Sequence, residues 1–64
     1  MANNLKKFRL EQEMSLLKLA KKSGVSHQTI FNIEKGKTSE DKIYFSTVKK
    51  LCRALEKTQE ELFF

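Results

Sequence analysis

Residues Leu16–Gly36 read LLKLAKKSGVSHQTIFNIEKG, and this stretch decides the fold. Leu16, Leu19 and Ala20 stand at i, i+3 and i+4, so they share one face of a helix predicted over about Leu16–Ser23. Ser15 offers that helix an N-cap. Gly24 suits a helix that must end in the left-handed conformation, which costs a residue bearing a Cβ. Ser26 can cap a second helix, predicted over about His27–Lys35 and closed by Gly36. Ile30 and Ile33 form its apolar face, while His27, Gln28, Phe31 and Asn32 point elsewhere. Ala20 is small where two such helices would cross closely.

A helix, a tight turn and a second helix with a polar outer face can deliver side chains into a DNA major groove. At Ser15, Leu19-Ala20, Gly24-Val25-Ser26, Thr29-Ile30, Ile33-Glu34 and Gly36 the segment resembles the lambda-Cro and 434-repressor type of helix-turn-helix, the Xre family. A helix-turn-helix pattern alone is a weak signal. Here the small residue, the glycine, the turn valine and the two isoleucines all fall in step. The resemblance covers nearly the whole chain. It implies an all-α, five-helix, lambda-repressor-like domain that binds double-stranded DNA sequence-specifically and regulates transcription.

The resemblance also implies roles for individual residues. His27, Gln28, Phe31 and Asn32 would read bases. Gln and Asn can bond adenine N6 and N7, Phe can pack on a thymine methyl, and His27 can donate to guanine or reach a phosphate. For His27 the plain alternative is an exposed turn residue. Phe31, set between polar neighbours and read as exposed, favours base contact or a partner interface. Thr29, Lys35, Lys37 and Thr38 would contact phosphates, and Arg9 would pair with Glu34 in a partly buried ion pair.

The chain departs from the pattern in three places. Leu16 stands where many members carry a Gln that touches a phosphate, which leaves only the helix N-terminal amides for that contact. The loop Lys37–Lys42, KTSEDK, delays the next helix by about three residues and lacks the usual proline. Glu40 and Asp41 suit no phosphate, so those extra residues are expected to bulge away from DNA or to serve a second subunit. Cys52 replaces a usual alanine and reads as a buried, inert thiol.

The rest of the chain supplies the supporting helices. Asn3 or Asn4 can cap a first helix to about Glu13, with Leu5, Phe8 and Met14 as its apolar positions. Phe45, Val48, Leu51, Cys52 and Leu55 predict one apolar face on a fourth helix over about Phe45–Glu56. Thr58-Gln59-Glu60-Glu61 reads as a capping box for a last single turn. Of the closing Leu62-Phe63-Phe64, Leu62 is expected in the core; Phe63 can complete the core with it or, with Phe64, serve the dimer interface to which both phenylalanines are assigned.

Bulk properties bound the reading. The 64 residues make one domain, residues 1–64, with a small core and only modest stability unless it dimerises. One cysteine allows no internal disulfide, and no Cys/His cluster has metal spacing, so neither metal nor cofactor is expected. No segment approaches the ~20 apolar residues of a membrane span, and the N-terminus is too polar for a secretory signal, which points to the cytoplasm. The net charge is +5, a mild signal for a polyanionic partner. Its distribution says more. Lys18, Lys21, Lys22, Lys35 and Lys37 share their stretch with one acid, Glu34, whereas Glu56, Glu60 and Glu61 crowd the end. The plain alternative is a solvated face on two helices.

No nucleophile–base set, paired carboxylates or glycine-rich phosphate loop is found, so the chain is not expected to be an enzyme. The expected function is a stand-alone repressor of the phage, plasmid or restriction-system kind, controlled by its concentration and operator occupancy. It would be a weak homodimer completed on a two-fold operator. The rivals are an interaction module or the DNA-binding part of a larger regulator or antitoxin complex, and an architectural DNA binder without sequence preference.

Overall fold

The computed structural model describes residues 3–39 and 42–63. Five helices follow one another: α1 (Leu5–Glu11), α2 (Leu16–Ser23), α3 (His27–Glu34), α4 (Phe45–Leu55) and α5 (Gln59–Phe63). Leu5, Leu19, Ile30, Ile33, Leu51, Leu55 and Leu62 are fully buried, so every helix gives at least one side chain to a common core. Met14 and Val25 join them from the two turns flanking α2. α2 packs against both α3 and α4, and α1 is held between α3 and α5.

Local chemistry sets the helix ends. The Ser15 hydroxyl accepts from Lys18 N–H at 3.0 Å, and the Ser26 hydroxyl from Thr29 N–H at 3.2 Å, each satisfying an otherwise unpaired first-turn donor. Gly24 ends α2 at φ 80°, its N–H donating to Ala20 O. In the last helix Thr58 N–H donates to Glu61 Oε1 at 2.9 Å, and Glu61 N–H to Thr58 Oγ1 at 3.1 Å, a reciprocal capping box.

Several boundaries and faces differ from the sequence expectation. α1 ends at Glu11, short of Glu13, because Glu13 itself turns left-handed at φ 55°. Met14 N–H then donates to Arg9 O, and Glu13 N–H to Leu10 O. This is the two-bond helix stop usually built on glycine. α4 ends in the same way, with Glu56 at φ 56° and Lys57 N–H on Cys52 O. Phe45 is not part of the buried apolar face of α4: it is 66 % exposed, at the first position of the helix. Ala54 takes a core position instead. Cys52 is half-buried, not buried, and desolvation pushes its thiol pKa up, which disfavours the reactive thiolate. Of the two leucines opening α2, Leu16 packs against the core and Leu17 is exposed.

The dimer assignment for Phe63 is corrected. Phe63 is 8 % exposed and belongs to the core of its own chain, where the last turn folds its ring inward. Phe64, Glu40 and Asp41 lie outside the described residues.

Three side-chain amides in or beside α1 tie the fold together. Asn3 Nδ2 donates to Ile33 O at 2.9 Å, Gln12 Nε2 to Leu55 O at 2.8 Å, and Asn4 Nδ2 to Glu61 O at 3.0 Å. The acceptors are carbonyls near the ends of α3, α4 and α5, which have no intrahelical partner to spare. Asn3 also performs the capping of α1, its Oδ1 accepting from Leu5 N–H, while Asn4 at the N-cap position makes no side-chain cap bond.

Candidate nucleic-acid interface

The outer side of α3 follows from its buried side. Ile30, Ile33 and Glu34 face inward. At 100° per residue this sets Gln28, Asn32 and Lys35 outward, with Phe31 and Thr29 on opposite flanks. His27, Gln28, Thr29 and Lys35 are exposed, and Asn32 and Phe31 half-buried. Gln28 Nε2 donates to Asn32 Oδ1 at 3.3 Å, so the two outward amides form one polar unit. On the Thr29 flank, Ser26 Oγ and Thr29 Oγ1 stand 2.8 Å apart.

Glu34 is held from the other side of the helix. Arg9 Nε donates to its Oε2 at 2.7 Å and Arg9 Nη2 to its Oε1 at 3.1 Å, while Arg9 Nη1 donates to Met14 O at 2.8 Å. Both residues are buried, and two parallel N–H bonds are the strong geometry for this pair. The pair locks α3 to α1 and sets the angle at which α3 leaves the core.

It also decides the electrostatics. Glu34 is the one acid between Lys18 and Lys37, and Arg9 neutralises it internally. Lys18, Lys21, Lys22, Lys35 and Lys37 are all exposed, so this stretch presents five ammonium groups and no free carboxylate to solvent.

Among the described residues, two clefts border α3. One, of about 270 Å³, lies between α1, the start of α2 and the end of α3, and is lined by Lys6, Arg9, Leu16, Phe31, Glu34 and Lys35. The other, of about 140 Å³, lies on the Thr29 flank, with Thr38, Lys42, Ile43, Tyr44 and Thr47 around it. Lys6, Lys42 and Tyr44 therefore line clefts beside α3 without having been singled out from the sequence. Nothing in their local pattern marks them, since they reach it from other elements. Phe31 is not the exposed side chain that its polar neighbours suggested. It sits half-buried in the first cleft, with the ammonium groups of Lys35 and Lys37 each 5.6 Å from its ring centroid. Lys37 is brought there by Gly36, at φ 73°, which turns the chain back so that Lys37 N–H donates to Asn32 O at 2.9 Å.

Among the described residues no group of His, Cys, Asp and Glu could hold a metal ion, and no helix is long and apolar enough to cross a membrane.

Two capped helices meeting across a left-handed glycine, the second offering amides amid uncompensated lysines, define a helix-turn-helix module. A family model described as helix-turn-helix (HTH_3) matches residues 5–62, and the chain belongs to that family, the Xre type of DNA-binding domain. The family is a non-catalytic, DNA-binding one. No curated protein and no solved structure matches the chain.

Proposed function

We propose that this chain is a sequence-specific transcriptional regulator, a small repressor of the phage, plasmid or restriction-system kind. In this reading α3 enters the major groove and Gln28 and Asn32 meet base edges, with His27 beside them. Thr29, Lys35, Lys37 and Thr38 take phosphates of the flanking strands. The observation that carries the reading is the outward Gln28–Asn32 amide pair, set in a stretch whose single acid is buried against Arg9. Amides supply the donor–acceptor pattern that distinguishes bases, and unopposed lysines supply the salt-dependent affinity for the backbone.

A second copy would complete the complex on a two-fold operator. With Phe63 in the core, the apolar surface open to that copy includes Tyr44 and Phe45, 80 % and 66 % exposed, at the start of α4 beside the loop Lys37–Lys42. The same exposed pair supports a second reading, in which the domain docks on another protein as part of a larger regulator or antitoxin complex.

The test is selection of bound sequences from a random DNA pool, followed by a salt titration on the selected and random duplexes. A specific regulator keeps an affinity gap of about 10³-fold or more at physiological salt. An architectural binder shows no such gap, and a pure interaction module binds neither duplex tightly.

A further inference from the structure

We propose that Phe31 is a positioning residue, which holds Lys35 and Lys37 ready for backbone phosphates, and that it does not read a base. The inference rests on the DNA-binding reading above and assigns a chemistry to one flank of the same helix.

Three features place Phe31 in this role. Its ring lies in the cleft between α1 and α3, beside Leu16 and Lys6, on a flank of α3 and not on the outward line of Gln28 and Asn32. The ring is thereby half-buried, with neighbours from α1 and α2 beside it. Second, both Lys35 Nζ and Lys37 Nζ stand 5.6 Å from its centroid, inside the ~6 Å range over which an ammonium is drawn to an aromatic face. Third, the backbone is built to bring the second lysine there. Gly36 N–H donates to Ile33 O and Lys37 N–H to Asn32 O, so the chain folds back over the last turn of α3 instead of leaving it.

The physical consequence is preorganisation. A free lysine side chain has much rotamer freedom to lose when its ammonium is fixed on a phosphate. The ring restricts two of them beforehand. It also gathers two like charges around one apolar group, an arrangement that an incoming phosphate anion relieves. A ring so occupied is unavailable for a thymine methyl.

The experiment is a set of binding isotherms, at several salt concentrations, on the selected duplex and its single-base variants. The proteins are the wild type, Phe31→Leu, Phe31→Met, Phe31→Tyr, the double change Lys35→Ala/Lys37→Ala, and that double change combined with Phe31→Leu or Phe31→Met. Circular dichroism checks that each is folded, and Phe31→Met, close in volume but without a ring, serves if Phe31→Leu is not. The ring-less variants are expected to bind every duplex about three- to tenfold more weakly, the order that two exposed cation–π contacts support. Their base preference should be unchanged and their salt slope shallower, with Phe31→Tyr close to wild type. The lysine changes should cost less in the ring-less background than in the wild type. A shift of preference at one base position, or lysine changes equally costly in both backgrounds, overturns the proposal. Absence of any selected-over-random gap in the wild type counts against the DNA reading itself and takes this proposal with it. An intact gap with either overturning result counts against this proposal alone.

Discussion

Gln28 and Asn32 are hydrogen-bonded to each other across one turn of α3, Nε2 to Oδ1 at 3.3 Å. The bond leaves each amide with donors and lone pairs to spare and fixes their relative orientation before any base is met. Two amides joined in this way should not act independently if they read bases as proposed. Gln28→Ala or Asn32→Ala should each cost about 1–3 kcal/mol on the best duplex and relax preference at one base position. The double substitution should cost less than the sum, because each single change already frees the partner amide. Isotherms on single-base variants measure both effects. An intact preference profile in both single variants would remove α3 from the reading role.

The Arg9–Glu34 pair makes a different kind of prediction. Both side chains are buried and every polar atom of the pair that is out of solvent has a partner. Glu34→Ala would strand the guanidinium and should destabilise the fold by roughly 3–5 kcal/mol. Replacing the pair together, as Arg9→Met/Glu34→Leu, should be far milder, since the cost of desolvating two charges is removed with their attraction. Urea unfolding of the three proteins decides. A loss below about half a kcal/mol for Glu34→Ala, the range of exposed pairs, would mean the pair is superficial.

Two helices stop on glutamates held at φ 55° and 56°, Glu13 and Glu56, where α2 and α3 stop on glycines. A side chain with a Cβ is strained there by roughly 1–2 kcal/mol, against about 0.4–1 kcal/mol of extra unfolded-state entropy for glycine. Glu13→Gly and Glu56→Gly should therefore each stabilise the fold by roughly half to one kcal/mol. The reverse change, Gly36→Ala, should destabilise it by roughly half to one kcal/mol, the same strain less the same entropy gain, since nothing lies within 4 Å of the added Cβ. Denaturant midpoints at constant m-value provide the check.

The capping box supplies a pH dependence. The bond from Thr58 N–H to the Glu61 carboxylate is the main reason its pKa lies below the ordinary carboxylate value; desolvation opposes it, and the Thr58 hydroxyl and nearby Lys57 add to the lowering. A depressed folded-state pKa contributes stability that is present above the unfolded value and lost as pH falls through the folded one. Glu61→Gln can still accept from Thr58 but does not titrate. The stability advantage of the wild type over this variant should therefore shrink as pH drops below the ordinary carboxylate range, and stay level above it. A difference that is flat throughout acid titration would show that the box does not persist in solution.

What could be read from the sequence was what is local. Ser15, Ser26, Thr58 and Glu61 cap through bonds three residues away, so their spacing alone places the helix starts. Gly24 and Gly36 mark stops because few other residues turn left-handed cheaply. Glu13 and Glu56 make the same turn without the signal, which is why the predicted first helix ran two residues too far. Periodicity put Phe45 on the apolar face of α4, but periodicity cannot tell whether a neighbour covers that turn, and among the described residues none does. The run Leu62-Phe63-Phe64 has the same ambiguity, resolved for Phe63 by the core around it. At the interface, the outward line of α3 was legible from Ile30 and Ile33. The half-burial of Phe31 was not, since it depends on α1, more than twenty positions away in the chain.

The three amide bonds from the segment at α1 span 30, 43 and 57 residues. During synthesis on a ribosome, Asn3, Asn4 and Gln12 are made first, yet Gln12 waits for Leu55 and Asn4 for Glu61. The helix is thus fastened in two stages: Asn3 and Arg9 can engage Ile33 and Glu34 once α3 is made, whereas the Gln12 and Asn4 bonds close only when α4 and α5 follow. Until α5 has left the exit tunnel, α1, α2 and α3 can associate, but the bond that ties the start of the fold to its last helix cannot form.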